Sequence, residues 1–463
     1  MTAALPVVDP AGPSDRPGSR PDPETPDDPG APDRHRPVGR LGPVADRIAA
    51  WRPASPGRLV VVLVLAFAVT RLLAGAVADH PVAYGDPQID PGHDVVTYHG
   101  YARATLDGHQ TPYGDLDVEY PPGAFAAIDA PYLAAPQLHV SYRTAYILGM
   151  VLVDAVGLLL LVRLARRTGH WQGALAWVLV VPLLGPVVYT RFDLLPAVLT
   201  LWAVERASAG RWRAAGALLG LGIVTKVYAV FLLPQALVVA PRRRQVLVGA
   251  AAAGALVLVP FLTQLGPLVH DLQSTQGQRG LHWESTFGSL VMVAHALGYP
   301  AVIVTEFGAV DVVSDVSRGL TTASSLLSLA IVVLASRHCA QVVRRGSAAG
   351  LSLSMFGTMG LLVGFGFVYS PQYVLWILAL GAVTLALTPR PALPAFAVLV
   401  AVVVLSHLVY PVLWRGLSTN EPLSLVVLVA RNALTIVVGA LALKALPRAE
   451  SGTAAPSPAV VHP

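Results

Sequence analysis

Long apolar segments recur along almost the whole chain and constrain its fold more than any other feature. Three of them, Leu59 to Ala78, Ala395 to Tyr410 and Ser424 to Ala445, approach or reach the roughly 20 residues that a helix needs to cross a bilayer. With 54% hydrophobic and 13% charged residues among 463, the chain cannot bury its apolar surface in one water-soluble core. We therefore predict an all-α polytopic membrane protein with about 10 to 12 transmembrane helices, plus helices lying along its outer surface.

Clusters of arginine separate many of these segments and set the predicted orientation. They lie in short loops at residues 163–167, 206–213, 242–244 and 337–345. Because short basic loops stay cytoplasmic, residues 79–143 and 264–318 are predicted to lie outside a plasma membrane, with both termini cytoplasmic. The same loops account for the net charge of +5 and the pI near 9.4, so nucleic acid is not implied as a partner.

One apolar segment, Ala214 to Ala240, does not fit a single crossing. Basic loops flank both of its ends, and its only charge is Lys226. Two half-length helices that meet at Lys226 satisfy the charge rule, so we predict a re-entrant hairpin. With its halves counted, the predicted spans are 58–78, 144–163, 171–188, 192–206, 214–225, 227–240, 245–262, 319–336, 348–367, 372–388, 393–411 and 424–445.

Two polar tails flank the predicted membrane domain, residues 58–445. Residues 1–57 are rich in Pro, Gly, Asp and Arg, and they have no aromatic residue before Trp51. We expect a disordered cytoplasmic tail there, in which Val44 to Trp51 forms a short amphipathic stretch on the membrane surface. Residues 446–463 are expected to form a second disordered cytoplasmic tail.

The first outer segment, residues 79–143, is acidic and is predicted to be catalytic. Asp94, Tyr98, Tyr101 and Thr105 recur at helical spacing, so a helix along the membrane would show them on one face. A carboxylate at the mouth of a membrane cavity is suited to act as the general base for an acceptor hydroxyl. We predict this role for Asp94.

Two alternatives to Asp94 as the base stay open. Asp90 and Pro91 are placed to cap the helix, with Asp94 merely favouring its positive end. Glu119, in the stiff Glu119-Tyr120-Pro121-Pro122 segment, is the reserve candidate for the base.

Charges within the apolar segments form a second group of candidates, since ionisable groups in hydrocarbon line polar paths or pair with each other. Lys226 is the clearest case. Arg191 and Asp193 are predicted near the outer surface, where a substrate contact and a solvated turn are both open interpretations. The other charges have structural explanations: pairing or snorkelling for Asp154 and Arg431, and contact with the outer interface for Arg71.

Two polar segments in the outer half supply further candidates. Arg279 lies beside Gly280 in the second outer segment, and its planar guanidinium is suited to a phosphate, although composition alone favours a plain surface loop. Gln372 and Tyr373 lie at the outer start of a span, where an interfacial aromatic belt explains the tyrosine but not the glutamine.

Metal and redox chemistry are not expected. The single cysteine, Cys339, excludes an internal disulfide and a cysteine-based metal cluster. His93, Asp94, His99 and His109 match no strong metal-binding spacing. We predict no metal and no cofactor.

Four separated motifs resemble the polyprenyl-phosphate-mannose-dependent mannosyltransferases of glycosyltransferase family 87, within the C-type membrane glycosyltransferase fold. They are Asp94-x-x-x-Tyr98 with Gly108 to Tyr113 and Glu119 to Pro122, then Gly216 to Tyr228, then Arg279-Gly280 to Glu284-Ser285, and finally Ser370-Pro371-Gln372-Tyr373. The sequence departs from the family pattern at Ala229, at His282-Trp283 and in an extra outer stretch from Thr305 to Ser317.

The resemblance implies an inverting hexosyltransferase that moves a sugar, in this family mannose, from a polyprenyl-phosphate donor in the bilayer to a cell-envelope glycolipid or glycan acceptor. It carries the role of general base onto Asp94. It also implies that Lys226, Arg279, Gln372 and Tyr373 surround the donor phosphate and sugar. The predicted substrate contacts further include the motif residues Tyr98, Tyr228 and Glu284, and Arg191 and Asp193 from the intramembrane charges. The main alternative is a transporter or flippase, which would also place Lys226 on a broken helix at membrane depth.

Overall fold

The computed structural model describes residues 42–79, 90, 92–306 and 309–451. Most of the two expected tails, together with residues 80–89 and 91 of the first outer segment, lie outside the described residues. In chain order, the α-helices are α1 Pro43–Ala50, α2 Pro56–Asp79, α3 His93–Leu106, α4 Phe125–Leu138, α5 Tyr142–Thr168, α6 Gln172–Val180, α7 Val187–Thr190, α8 Leu194–Ser208, α9 Trp212–Thr225, α10 Leu233–Val239, α11 Arg243–Leu258, α12 Leu265–Gln278, α13 Thr286–Ala296, α14 Ser317–Val342, α15 Ala348–Phe365, α16 Val374–Leu387, α17 Pro389–His407, α18 Trp414–Ser418, α19 Pro422–Lys444 and α20 Leu446–Ser451.

Short tight turns and one hairpin complete the described elements. The 3₁₀ turns are Pro122–Ala124, Val181–Leu184, Val227–Leu232, Val259–Gln264 and Pro371–Tyr373, and a π turn covers Leu408–Val412. Strands β1 Val302–Glu306 and β2 Ala309–Val313 pair antiparallel. This hairpin accounts for much of the extra outer stretch.

The predicted all-α polytopic membrane protein is confirmed. Among the described residues, 7 helical segments are long and apolar enough to cross a membrane, and five shorter apolar helical segments accompany them. The long ones are Pro56–Asp79, Tyr142–Thr168, Arg243–Asp271, Ser317–Val342, Ala348–Phe365, Pro389–Val412 and Pro422–Glu450. The predicted end of a span at residue 262 is wrong, because helical geometry continues through a 3₁₀ turn into α12.

Helix α16 forms the centre of the bundle. It is apolar all round and buried along nearly its whole length, and it packs against α5, α6, α8, α15 and α17. A helix with no polar face needs neighbours on every side, which explains its central position. In contrast, only 11% of the apolar part of α2 is buried, so this helix presents its side chains to lipid.

The chain reverses direction at Lys226, as the predicted hairpin requires. Gly216 packs on the backbone of Val246 and Gly220 on that of Ala250, so α9 and α11 lie side by side and run in the same direction. The intervening chain must therefore return to the face on which α9 began. It turns at Lys226, whose backbone is extended, with φ of −155° and ψ of 120°. At about 1.5 Å per residue, the 14 residues of α9 carry Lys226 about 21 Å from that face.

Helices α1 and α20 show that structure extends beyond residues 58–445 at both ends. The Gln172 amide Nε2 donates to the carbonyls of Ile48 and Trp51, at 2.8 and 3.1 Å, and so caps the end of α1. The Glu450 carboxylate pairs with Arg344 at 3.1 Å. The parts of the predicted tails at residues 43–50 and 446–451 are therefore helical, because the bundle supplies partners for them.

Of the structural explanations for three intramembrane charges, the one for Arg71 is wrong, whereas Asp154 and Arg431 are both paired. Arg71 does not reach the outer interface, since its side chain is 1% exposed and its Nε donates to Asp154 Oδ2 at 2.9 Å. Asp154 also accepts from Trp177 Nε1 and the Tyr189 hydroxyl, both at 2.6 Å. Arg431 pairs elsewhere, with Glu284. The Asp154 network fixes Tyr189, two residues before Arg191, against α5.

Candidate functional site

Asp94 is paired with Arg191. Asp94 lies in the first turn of α3, and Arg191 lies where the chain leaves helical geometry between α7 and α8. The two side chains form an ion pair, with Asp94 27% exposed and Arg191 13% exposed. Asp90 accepts from the Gly92 amide at the start of α3, so the arrangement expected for a stabilised helix start is present together with the Asp94–Arg191 ion pair.

Lys226, at the tip of the hairpin, has an anionic partner and a ring of aromatic neighbours. Its Nζ donates to Asp193 Oδ2 at 3.0 Å, and the Asp193 side chain is only 1% exposed. Four aromatic ring centroids lie within 6 Å of Nζ: Phe192 at 4.7 Å, Tyr373 at 5.7 Å, Trp376 at 5.8 Å and Tyr120 at 5.9 Å. The ammonium is thus held by one carboxylate and by ring faces.

A stack of three aromatic rings lines one side of Lys226. The rings of Tyr228 and Trp376 stack at 3.9 Å, and those of Tyr373 and Trp376 stack at 4.1 Å. On the other side, Tyr98, Tyr120 and Phe192 contact one another, with centroids 5.1 to 5.7 Å apart. Aromatic faces of this kind pack well against the C–H groups of a sugar ring.

Glu119 and Arg279 bridge the two outer segments. Arg279 follows the last residue of α12, and its Nη2 lies 3.8 Å from Glu119 Oε2. Burial raises the pKa of Glu119 above its ordinary value, and this effect outweighs the opposing effect of the Arg279 charge. The negative charge of Asp94 also raises the pKa of Glu119.

The loop that carries Glu119 is pressed onto the hairpin tip. Gly123 leaves no space for a side chain, because a Cβ there would lie 2.7 Å from the Val224 carbonyl oxygen and 2.8 Å from Thr225 Oγ1. Pro121 and Pro122 stiffen the intervening chain. The close contact at Gly123 therefore sets the position of Tyr120 relative to Lys226.

We name the space between these three ion pairs and the two aromatic groups the candidate cavity. Several buried polar atoms around it have no hydrogen-bond partner within the described part of the chain. They are Asp193 Oδ1, Arg191 Nε, Arg279 Nε and Trp376 Nε1. Buried polar groups in proteins are nearly always hydrogen-bonded, so unmatched donors and acceptors around one cavity are a feature of ligand sites. Three cations, three carboxylates and two aromatic groups can together hold an anionic, sugar-bearing molecule.

Ten of the eleven predicted site residues belong to this cavity or its rim. Tyr98 and Tyr228 are buried in the two aromatic groups, and Gln372 is half-buried on the turn that carries Tyr373. Glu284 lies apart from them, with its side chain 2% exposed and paired with Arg431.

The sequence did not indicate which charged residues of the site pair with each other. The structure pairs Asp94 with Arg191, Lys226 with Asp193, and Arg279 with Glu119. Phe192 and Trp376 were not among the predicted site residues. Phe192 lies between two predicted site residues, and Trp376 lies three residues after Tyr373, so local spacing was the signal available for both.

Metal-binding side chains do not cluster in the part of the chain that the structure describes. No group of three or more His, Cys, Asp and Glu residues is placed to hold an ion there. The His99 ring instead stacks on Tyr142, with centroids 4.7 Å apart.

The chain matches the sequence model of a known protein family. The sequence model of glycosyltransferase family 87 matches residues 119–371, which is more than half of the chain. The matched region includes Glu119, Arg191, Lys226 and Arg279. No curated protein matches the chain.

Proposed function

The chain belongs to glycosyltransferase family 87, and from this premise we propose that it transfers a hexose, mannose in the first instance, from a polyprenyl-phosphate donor to a cell-envelope glycolipid or glycan. The observation that carries the proposal is the cavity in which Lys226, Arg191 and Arg279 are each paired with a carboxylate beside two groups of aromatic rings. A phosphate, a sugar ring and an acceptor hydroxyl each find suitable groups there.

Lys226 and Arg279 are the proposed ligands of the donor phosphate. They come from the hairpin tip and from the end of α12, so a phosphate between them would be approached from two sides. A cation beside the phosphate stabilises the negative charge that develops as the lipid phosphate leaves. The stack of Tyr228, Trp376 and Tyr373 supports binding of the sugar ring, and Gln372 is placed next to it for a hydroxyl.

Asp94 is the proposed general base, with Arg191 holding its orientation. In the reaction, an acceptor hydroxyl gives its proton to the carboxylate and its oxygen forms a bond to the anomeric carbon. The bond from that carbon to the phosphate oxygen breaks on the opposite side, and the polyprenyl phosphate leaves with the electron pair. A single displacement of this kind inverts the anomeric configuration.

The proposed orientation places this cavity on the extracytoplasmic side of the plasma membrane, with both termini in the cytoplasm. The arginine-rich loops support it, because Gly346, beside Arg344 and Arg345, donates its amide proton to the carbonyl of Val239 at the end of the hairpin, at 2.8 Å. The hairpin then rises from the cytoplasmic side, and Lys226 lies on its far side. A transporter would also use a broken helix, but it does not require a base beside an acceptor site.

The decisive experiment uses purified protein, radiolabelled polyprenyl-phosphate-mannose and extracted envelope glycolipids. The Asp94→Asn variant is expected to lose about 10²- to 10⁴-fold in kcat, because general base catalysis is removed while the shape of the side chain is kept. Asp117→Asn is the matched control, since Asp117 is an exposed acid of the same outer segment. Full activity of Asp94→Asn would reject Asp94 as the base, and no transfer from any polyprenyl-phosphate sugar would reject the proposed function.

A further inference from the structure

A buried ion pair outside the cavity joins α19 to the second outer segment. Arg431 Nη1 donates to Glu284 Oε2 at 3.0 Å, and Nη2 donates to the Glu284 carbonyl at 2.6 Å. Asn432 Nδ2 donates to the same carbonyl at 3.1 Å. The Arg431 and Glu284 side chains are 0% and 2% exposed. Arg431 therefore holds both the carboxylate and the backbone of Glu284.

The same guanidinium also contacts the chain that leads into α16. It lies over the ring of Tyr369, 3.8 Å from the centroid, and the Tyr369 hydroxyl shares a hydrogen bond with Thr435 at 2.9 Å. The two chain segments are also joined directly, since the His282 amide donates to the Phe367 carbonyl at 3.0 Å. One side chain thus touches two loops that are far apart in sequence.

Each of these loops carries predicted donor contacts. Glu284 lies five residues after Arg279, and Tyr369 lies three residues before Gln372. The first loop is also fixed at its beginning, where the Gly280 amide donates to Asp311 Oδ2 at 2.8 Å. Arg431 fixes its other end and the second loop at the same time.

Arg431 lies well inside α19, which indicates that its pairing with Glu284 has a specific role. Arg431 is the tenth residue of α19, which puts it about 14 Å along the helix from Pro422. A guanidinium at such depth is costly unless it is paired, and its planar fork is suited to hold a carboxylate and a carbonyl in fixed directions. An apolar side chain would fill the space without setting the direction of either loop.

We propose that Arg431 is a positioning residue, which through Glu284 and Tyr369 sets the mutual position of the loops that carry Arg279 and Gln372-Tyr373. Glu284 then orients a loop and does not contact the substrate. What the two loops bind rests on the proposed function, whereas their coupling through Arg431 does not.

Hydrogen exchange measured by mass spectrometry tests the coupling without any substrate. In Arg431→Met, peptides covering residues 281–285 and 367–373 are both expected to exchange about tenfold faster or more, because both lose a buried partner. In Arg431→Lys, a single ammonium cannot hold the carboxylate, the carbonyl and the Tyr369 ring together, so both peptides are expected to exchange at rates between those of Arg431→Met and the wild type. Faster exchange in only one of the two peptides in Arg431→Met would overturn the proposal.

Glu205→Gln is the matched control for loss of a buried carboxylate. The Glu205 side chain is 1% exposed and pairs with Arg167 and Arg206 near the other end of the bundle. The Glu205→Gln variant is expected to leave hydrogen exchange at residues 281–285 and 367–373 unchanged. Glu284→Gln is expected to accelerate exchange in both peptides. Equal acceleration by Glu205→Gln would show a general loosening of the fold and would overturn the proposal.

Kinetics separate positioning from substrate contact. Glu284→Gln and Arg431→Met are each expected to raise KM for the donor about tenfold, with a smaller effect on kcat and on KM for the acceptor. The double variant is expected to be no worse than Arg431→Met, because both changes break one contact. Additive losses would mean that Glu284 acts on the substrate itself and would overturn the proposal. Inactive wild-type protein would reject the proposed function, and the exchange result would still decide the coupling.

Discussion

Gly123→Ala is the smallest change that should disturb the cavity without touching a charged group. The new methyl group would lie 2.7 Å from the Val224 carbonyl oxygen and 2.8 Å from Thr225 Oγ1. Neither atom can swing away, because one is backbone and the other donates to the Leu221 carbonyl at 2.8 Å. Ordinary van der Waals contact therefore requires the loop and the hairpin tip to separate by about 0.6 Å.

The expected magnitude follows from this shift. Overpacking of this kind costs about 1–3 kcal/mol, which corresponds to about 5- to 150-fold if it falls on the transition state. Pro121 and Pro122 transmit the displacement towards Tyr120 and Glu119, away from Lys226. We expect kcat/KM for the donor to fall by about 10- to 100-fold, in line with the sensitivity of catalysis to misplacement of less than about 1 Å.

Gly114→Ala provides the control, because it adds the same methyl group to the same outer segment. There the nearest atom is Thr111 Cβ at 3.5 Å, an ordinary contact, so kinetics like those of the wild type are expected. Donor saturation curves and thermal unfolding in detergent are measured for both variants. If folded Gly123→Ala turns over within about twofold of the wild type, the contact between loop and hairpin does not position the site.

Two further predictions concern stability. Burial raises the pKa of Glu119 in the folded protein, so ionisation of this carboxyl disfavours folding, and its contribution to stability is lost as the pH rises through that pKa. Glu119→Gln should therefore melt at a higher temperature than the wild type near pH 8, and the difference should vanish near pH 4. A melting temperature below that of the wild type at neutral pH would contradict this prediction. Arg71→Met leaves the buried Asp154 carboxylate without its cation, so the free energy of unfolding should fall by about 3–5 kcal/mol. Arg71→Met/Asp154→Asn should recover part of that loss. An unchanged free energy of unfolding in Arg71→Met would contradict the network.

Local features of the sequence were sufficient for much of the fold. Apolar length identified the spans, and the charges that flank residues 214–240 led to the hairpin at Lys226. Both are properties of a continuous stretch of chain. The end of the span before α12 was missed because Pro260 and the polar residues after it resemble a terminus, whereas the structure continues through a 3₁₀ turn.

Charge pairing could not be predicted, because it depends on contacts between distant helices. Arg71 and Asp154 are separated by 83 residues, and Glu284 and Arg431 by 147. A sequence pattern shows that a buried charge needs a partner but not which residue supplies it. The same limit applies to Asp94, whose partner Arg191 reaches the cavity because the chain breaks between α7 and α8 and because Tyr189 is anchored on Asp154.

The three carboxylates of the cavity are not equivalent, and their differences favour Asp94 as the base. Asp193 is 1% exposed and is bound to Lys226 at 3.0 Å, so an acceptor hydroxyl cannot reach it without breaking that pair. Glu119 is 31% exposed but faces Arg279 at 3.8 Å. Because this ion pair is long, Arg279 is the cation that can most easily leave its carboxylate and bind an incoming phosphate. Asp94 is 27% exposed, and its partner Arg191 is not one of the proposed phosphate ligands. A bound donor would therefore leave the Asp94–Arg191 pair intact, with one carboxylate held in a fixed orientation and open to the acceptor.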